Sequence, residues 1–490
     1  MRIPLDHYSV VPLYQQIETY LRQQILSGQL APETRLPATR QLAQDLGISR
    51  ITVNNAYAAL ESEGLIYSRE GSGTYVMPPV SLPRAAKRAV DIAWPLWQQA
   101  LQDGAKTPLA GEPGPLLPDR HPQPISFTGV GDPRHFPVKD FFKAMQTVIH
   151  REGVAALEYG DFEGGYLPLR ETITHVLASQ GIQAHPPNIL ITSGSQQGLA
   201  LVCQILLKPG DVILVENPTY NFALELFRAL GLKIVGLPLD DQGLLVERLE
   251  PLLQQHHPKL LYTIPNFQNP SGVCLSGARR RELVALADRY NVPLLEDDFA
   301  GDLRYEGRAL PALKALDPGG RVIYTGTFAK MLMPGLRVGF LVAEGPLFER
   351  LVQAKRLHDL TTSTLMQRVL HEYVTVGRYQ THLRRSTRLY RQRREAMLKA
   401  IKRHLPAEVQ VTPPQGGLFI WLRLPAGVSS LDLLPLALEA GVEFAPGHRF
   451  FVNPAEGESY LRLNFATQTP EDIEIGVRRL GMALIRATNS

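Results

Sequence analysis

The sequence predicts two folded units in one chain: a winged helix-turn-helix, then a larger α/β unit with a mainly parallel sheet and a small C-terminal α+β lobe. Three observations carry that reading. Apolar residues near the start follow a helix-turn-helix spacing, residues 78–124 hold ten prolines, and everything beyond alternates short β-branched runs with helical stretches. The length of 490 residues agrees, since it is about three times that of a usual single domain. A hydrophobic content of 44% with 20% charged residues excludes a mainly disordered chain, a collagen-like repeat and a coiled-coil rod.

The first unit is read from ATRQLAQDLGISRITVNNAYAALESEGLI. Leu42, Ala43 and Leu46 line one helical face, Gly47 sits at the turn, and Ser49 is placed to cap the next helix. Val53, Tyr57 and Leu60 then point inward at i, i+4 and i+7, which leaves Arg50, Thr52 and Asn54 near the helix start, where a recognition helix meets bases and phosphates. LIYSREGSGTYV follows as two short strands around a Gly-rich turn, a wing. Residues 1–78 hold six Arg, no Lys and seven acidic residues, so any DNA contact must come from placed side chains and not from bulk charge. The net charge of the whole chain, +4, points to no particular partner.

The prolines of 78–124 remove backbone donors and predict a linker, interrupted by a short helix at 94–101. Beyond it, strands are expected at 188–192, 211–215, 233–237, 260–264, 293–296, 322–325 and 338–342. Strands alternating with helices imply right-handed crossovers and a sheet covered on both faces. A long Arg-rich helical stretch after Glu349 leads to two more strands, 419–424 and 460–465, in the smaller lobe. The expected division is therefore 1–77, 78–124 and 125–490.

The chemistry of the second unit centres on VIYTGTFAKMLMPGLRVGF. A carbonyl cofactor needs a lysine amine for a Schiff base, and a phosphate handle needs hydroxyls and an Arg fork beside it; Lys330, Thr327 and Arg337 supply these. In LLEDDFAGDLRY, Asp297 ends a buried strand, where α/β sheets bind ligands, and a carboxylate there can keep a pyridine nitrogen protonated. ILITSGSQQGLALV places Gly194, Ser195 and Gln196 at a helix N-terminus that favours an anion. Asn269, in IPNFQNPSG, offers an amide donor for a ring oxygen. Taken alone, Asp297 also reads as a helix cap or an Arg partner, Tyr220 as a core aromatic and Arg462 as a surface ion pair.

The ordered segments of residues 10–77 resemble the winged helix-turn-helix of the GntR family. That resemblance puts Arg40, Ser49, Arg50, Thr52 and Asn54 at DNA-contact positions, with the wing around Gly71 reaching the adjacent groove of double-stranded operator DNA. From about 125 onward the motifs above, with ENPTY, EYGDFEGGYLPLR and LRLNFA, resemble fold-type I, class I aminotransferases. This implies pyridoxal 5'-phosphate as cofactor: Lys330 forms the Schiff base, Asp297 binds the pyridine nitrogen and Asn269 holds the ring oxygen. Ser195, Gln196, Thr327 and Arg337 bind the phosphate, with Tyr159 from a partner subunit. Tyr220 packs near the ring, and Arg462 takes the carboxylate of an amino acid. The pairing of the two units resembles the MocR/GabR group of bacterial transcriptional regulators, which implies a homodimer, head-to-tail, and an amine or amino-acid effector.

The chain departs from that group in places. Phe299 stands where a cofactor-facing Tyr is usual, and Ala329 where Ser is frequent before the lysine. FQNPSG is nearer to working aminotransferases than to the regulators, and Phe222 argues against a 4-aminobutyrate effector. Two functions are therefore expected in competition: a cofactor-binding transcription factor, or an active aminotransferase whose winged helix only docks or dimerises. A cofactor-free scaffold would require Lys330 to be a structural lysine. With two cysteines, Cys203 and Cys274, no signal-like start and no long apolar run, the expected setting is the cytoplasm, without a disulfide framework, a metal site or a membrane span.

Overall fold

The computed structural model describes residues 3–6, 9, 11–69, 72–77, 124–129 and 131–488. The chain divides into two compact units, Met1–Gln102 and Asp103–Ser490. The linker apart from Pro124, the helix expected at 94–101, and Gly71 lie outside the described residues.

In the first unit, α1 (Leu13–Leu26), α2 (Thr39–Leu46) and α3 (Arg50–Ser62) precede a hairpin of β1 (Ile66–Arg69) and β2 (Gly73–Val76). Gly47, in the left-handed conformation at φ 65°, ends α2 and turns the chain toward α3. Ser49 caps α3, its side chain accepting from the backbone N–H of Thr52 at 3.2 Å; such a cap is worth about 1 kcal/mol. Ile17, Leu21, Leu42, Val53, Tyr57 and Leu60 close one core, as their spacing requires. The hairpin pairs Ile66 with Val76 and Tyr67 with Tyr75, and Arg35 adds a bridge to Tyr75.

The second unit opens with β3 (Ile125–Ser126) and α4 (Val138–Glu152), then α5 (Leu167–Ala178). The large sheet is built from β4 (Ile189–Thr192), β5 (Val212–Asn217), β6 (Lys233–Asp240), β7 (Gly243–Leu244), β8 (Leu260–Thr263), β9 (Leu294–Asp298), β10 (Val322–Thr327) and β11 (Gly339–Val342). Helices intervene as α6 (Ser195–Leu206), α7 (Asn221–Ala229), α8 (Leu249–His256) and α9 (Gly277–Tyr290). The strand order is β4-β11-β10-β9-β8-β5-β6-β7. Pairing is parallel from β10 through β9, β8 and β5 to β6, while β11 runs antiparallel to both β4 and β10. One consequence governs the function. The C-terminal ends of β4, β5, β8, β9 and β10, and the start of β11, all open on the same edge of the sheet.

The Arg-rich stretch after Glu349 is three helices: α10 (Gly345–Asp359), α11 (Thr364–Thr375) and α12 (Arg378–His404). Ser363 caps α11, and Gly377, at φ 75°, makes the break before α12. The small lobe adds β12 (Gln410–Val411), β13 (Phe419–Arg423), α13 (Ser430–Glu439), β14 (Val442–Glu443), β15 (Ala445–Pro446), β16 (Tyr460–Asn464) and α14 (Pro470–Thr488). Its sheet has the order β12-β13-β16-β15, and β3 pairs with β14, which ties the segment entering the large unit to the small lobe. Among the described residues no helix is long and apolar enough to cross a membrane.

A buried ion pair fixes that entering segment to α12. Asp132 and Arg393 are each 1% exposed. The Arg393 guanidinium donates to the Asp132 carboxylate at 2.7 Å and to the carbonyl of Ala466 at 2.5 Å. Asp132 also accepts from Arg134 Nε at 2.9 Å and from the Arg134 backbone N–H at 3.0 Å, so it keeps partners without Arg393. Removing Asp132, in contrast, leaves the Arg393 charge buried and unpaired, which costs about 3–5 kcal/mol. Asp132→Leu is therefore expected to lower the urea stability of the large unit by that amount, and Asp132→Leu/Arg393→Met to recover part of the loss; a double variant as unstable as the single one would contradict this.

Candidate functional site

On the common edge of the large sheet, Asp297 occupies the C-terminal part of β9 and is 4% exposed. Tyr262, at the end of β8, donates its hydroxyl to Asp297 Oδ2 at 2.7 Å, while Oδ1 is buried with no hydrogen-bond partner. Asp297 caps no helix and pairs with no arginine among the described residues, so neither structural role suggested by the isolated residue applies. Burial pushes its carboxyl up to about 6; Tyr262 and Lys330 oppose that push and Asp298 reinforces it. A buried carboxylate with one oxygen left open is a receptor for a single N–H, such as that of a protonated pyridine.

Lys330 follows β10 and is half-buried. Burial holds its amine below the usual lysine range; Asp297 works against this shift, and Arg337 and Arg462 add to it. The amine therefore has more of the neutral, nucleophilic form than a surface lysine has. Thr327 closes the same turn, accepting from Ala329 N at 3.1 Å and donating to the Val338 carbonyl at 3.3 Å.

The phosphate cradle expected at α6 is present as a shape. Gly194 precedes Ser195 at φ 98°, and no side chain caps the helix. Arg337, in the left-handed conformation, donates to the Ser193 carbonyl at 2.9 Å and passes so close to Gly194 that a Cβ there would lie 2.6 Å from its Nη2. A Cβ on Gly339 would meet Ser195 N at 2.9 Å. Both glycines thus keep the uncapped N–H groups of α6 and the guanidinium together, an anion site by dipole and charge. Gln196 donates to the Phe222 carbonyl at 3.3 Å, and its Oε1 is buried without a partner.

Asn269 and Arg462 meet across the site. Arg462, on β16 and 8% exposed, donates from Nη1 to Asn269 Oδ1 at 2.8 Å, which leaves the Asn269 amide N–H groups to face a ring oxygen. The Arg462 guanidinium lies 4.1 Å from the Phe419 ring centroid and 4.8 Å from that of Phe450, and its Nε has no partner. Burial pulls it down to about 9. The surface ion pair suggested by the isolated residue is thus replaced by a buried cation with no carboxylate among the described residues. Tyr220, half-buried at the start of α7, feels Asp297, Arg462 and Arg337, and its ring lies 5.7 Å from that of Phe222. Phe299, which brings no hydroxyl to the site, packs on Phe419 at 6.0 Å.

Tyr159 stands apart. It is 65% exposed, beside Phe162, and its carbonyl accepts from Thr364 at 2.7 Å; it touches none of the residues above in its own chain.

Three supporting residues escaped the motif reading. Tyr262 is one. Glu216, fully buried at the end of β5 and pushed up to about 7 by burial, accepts from Thr263, Ile264 N and Gln268. Arg280 donates to the carbonyls of Leu275, Pro311 and Pro265 and to Asn266 Oδ1, all at 2.8–2.9 Å. Together the last two pin the Pro265–Leu275 loop that carries Asn269. Only Tyr262 had a sequence signal, its place at the end of a buried strand beside that of Asp297.

In the first unit, Arg40, Arg50 and Asn54 are exposed, with Arg40 in the first turn of α2 and Arg50 starting α3. Neither Arg40 nor Arg50 forms an ion pair among the described residues, whereas Arg22 and Arg69 do. The Ser49 and Thr52 hydroxyls bond each other at 2.8 Å, so they serve the cap as well as the exposed helix start. Ile51, 70% exposed next to Arg50, was missed; it lies off the inward stripe of Val53, Tyr57 and Leu60.

The raised carboxyl of Asp297 has a thermodynamic sign. Its folded value, about 6, exceeds its ordinary 3.8, so the cofactor-free fold holds this proton more tightly than the unfolded chain. That contribution is full below pH 4 and is lost as pH rises to about 6, on the order of 3 kcal/mol. Urea unfolding of cofactor-free protein should show the difference between wild type and Asp297→Asn growing by that order from pH 4 to pH 7, wild type losing ground; parallel curves would count against it.

Comparison with known proteins assigns both units. Residues 13–76 match the family of bacterial regulatory proteins, gntR family, and residues 128–480 match aminotransferase class I and II. The HTH-type transcriptional regulator YdcR of Escherichia coli is 34% identical, over 96% of this chain and 98% of its own. The "Probable rhizopine catabolism regulatory protein MocR" of Rhizobium meliloti is 32% identical, over 99% and 96%. Among solved structures, the α-aminoadipate aminotransferase LysN of Thermus thermophilus, complexed with N-(5'-phosphopyridoxyl)-L-leucine, superposes with a TM-score of 0.73 at 37% identity, over 80% of this chain and 99% of that one. An uncapped phosphate cradle, a carboxylate with one open oxygen and a nearby lysine of lowered basicity fit pyridoxal 5'-phosphate, the cofactor of that fold. The chain belongs to the MocR-type transcriptional regulators, GntR-family proteins in which a winged helix-turn-helix is joined to an aminotransferase class I and II domain.

Proposed function

We propose that pyridoxal phosphate at Lys330, together with a carboxylate-bearing amine, sets the affinity of two winged helices for operator DNA. The observation that carries this reading is the convergence of Lys330, Asp297, Asn269, Arg337 and the start of α6 at one edge of the large sheet, on the same chain as a helix start that presents Arg50 unpaired. The assignment places DNA binding in 1–77, the connecting segment in 78–124 and ligand binding in 125–490.

When bound, the cofactor supplies an aldehyde carbon that captures amines and a ring that withdraws electrons. The rest is the work of this chain. Asp297 Oδ1 holds the ring nitrogen in its protonated form, and Tyr262 fixes the carboxylate's orientation from the other oxygen. Asn269 offers its amide N–H to the ring oxygen, a contact it makes without help from Phe299. Arg337, Ser195, Gln196, Thr327 and the N–H groups of α6 hold the phosphate. Thr327 must turn its hydroxyl from the Val338 carbonyl to join them. Lys330 presents a neutral amine for covalent attachment. Arg462, a buried guanidinium without a carboxylate, selects an effector that brings one.

In this reading the protein is a head-to-tail homodimer, and Tyr159 reaches the phosphate of the partner. Its exposure, and that of Leu157 and Phe162 beside it, supports an interface there. A two-fold dimer would read paired half-sites, with Arg40, Arg50 and Asn54 on bases and phosphates, Ile51 on a thymine methyl, and Ser49 and Thr52 on phosphates. The wing around Gly71 would enter the next groove.

A second reading, turnover as an aminotransferase, is favoured by the intact Arg462 and Asn269 pair and would be revealed by multiple rounds of keto-acid formation. The regulatory reading is tested by the affinity for DNA from the protein's own upstream region, measured at one salt concentration. Cofactor-saturated wild type and cofactor-free Lys330→Ala are expected to differ about tenfold or more, equivalent to about 1.4 kcal/mol of coupling. Arg50→Ala should weaken both by about 1–3 kcal/mol. Equal, specific binding by the first pair would remove the cofactor from the regulation.

A further inference from the structure

Away from the sheet edge, a cavity of about 250 Å³ lies between the Pro133–His135 turn, the end of α11 and the first turns of α12. Its lining carries three guanidinium groups, Arg134, Arg378 and Arg385, with His135, His382 and Thr381, against the single carboxylate of Asp140. Burial holds both histidines below their usual range, so the positive charge is that of the arginines. Arg134 is matched already by Asp132 at 2.9 Å. Arg378 and Arg385 form no ion pair among the described residues, and Arg378 Nη1 is buried without a hydrogen-bond partner. Leaving a buried guanidinium N–H unmet is unfavourable, and two unpaired arginines at one cavity repel each other.

The helix that carries them makes the mismatch sharper. α12 starts at Arg378 after Gly377, with no side-chain cap and no acidic residue in its first turn. The positive end of a 27-residue helix thus coincides with two unpaired arginines, an arrangement that a bound anion resolves and that isolated folding disfavours.

The same turns of α12 grip the cofactor lysine on both sides. His382 Nε2 donates to the carbonyl of Met331, the residue after Lys330, at 2.8 Å. The Tyr379 ring meets that of Phe328, two residues before Lys330, edge to face at 5.5 Å. With its Nε2 proton committed to Met331, neutral His382 has its Nδ1 bare.

We propose that this cavity is a second anion site, for a small molecule of the phosphate class, and that its occupant tightens the turn bearing Lys330 through His382 and Tyr379. This goes beyond the regulatory reading above, and its test reads binding and local protection, not DNA affinity, so either can fail alone. The probe is inorganic phosphate, titrated calorimetrically into cofactor-loaded full-length protein whose own phosphate cradle is filled, with chloride at matched ionic strength as reference. One site per chain is expected, weakened about tenfold or more in Arg378→Gln/Arg385→Gln, while Arg388→Gln, an exposed charge on α12 outside the cavity, binds as wild type does. Hydrogen exchange of the Thr327–Leu332 amides should slow about threefold or more on adding phosphate to wild type and not to the double variant. Absence of binding by wild type, equal binding by the double variant, an equal loss in Arg388→Gln, or binding without added protection at that turn would each overturn the proposal.

Discussion

One half-satisfied carboxylate organises the large unit. Asp297 is buried, hydrogen-bonded at one oxygen and open at the other, so the fold alone carries an electrostatic cost at neutral pH that a cationic N–H removes. The parallel sheet makes this arrangement possible, because five strand ends and the start of a sixth meet on one edge and bring residues from positions 194 to 337 together. Each neighbour is set by a different device: glycines for the close approach of Arg337 to α6, a buried Glu216 and Arg280 for the Asn269 loop, and aromatic faces for Arg462. The cradle is therefore built into the fold, and binding need not order it first.

The winged helix works under a different constraint. Its slightly acidic balance supplies little general attraction to phosphates, and the internal pairs of Arg22 and Arg69 use up part of what positive charge there is. Affinity must then come from a few unpaired side chains at the start of α3, doubled in the proposed dimer. That dependence suits regulation, since a modest change in how two such units are presented has a large proportional effect on a binding energy made of few contacts.

Much of this was legible in the residues. The strands of the large sheet fell where β-branched runs stood, and the inward stripe of α3 followed its i, i+4, i+7 spacing. Lys330, Asp297 and Asn269 converge because each sits at or beyond the end of such a strand, Arg337 because it leads into β11, which runs the other way, and Arg462 because it lies on a strand of the small lobe. What was not legible depends on pairs far apart in sequence: Tyr262 with Asp297, Asp132 with Arg393, His382 with Met331. No local pattern announces a partner 30 to 260 positions away. Arg462 shows the opposite failure, a residue type that favours the surface but is buried here by two aromatic rings. The helical stretch after Glu349 read as continuous, whereas Ser363 and Gly377 divide it into three.

The central claim is that the open oxygen of Asp297 and the amine of Lys330 define a pyridoxal phosphate site. Its most direct test is peptide mass spectrometry after borohydride reduction of protein incubated with stoichiometric cofactor. The account predicts one phosphopyridoxyl group per chain, on the peptide containing Lys330, with the yield falling sharply in Asp297→Ala. Label spread over surface lysines, or a Lys330 peptide left unmodified, would contradict it.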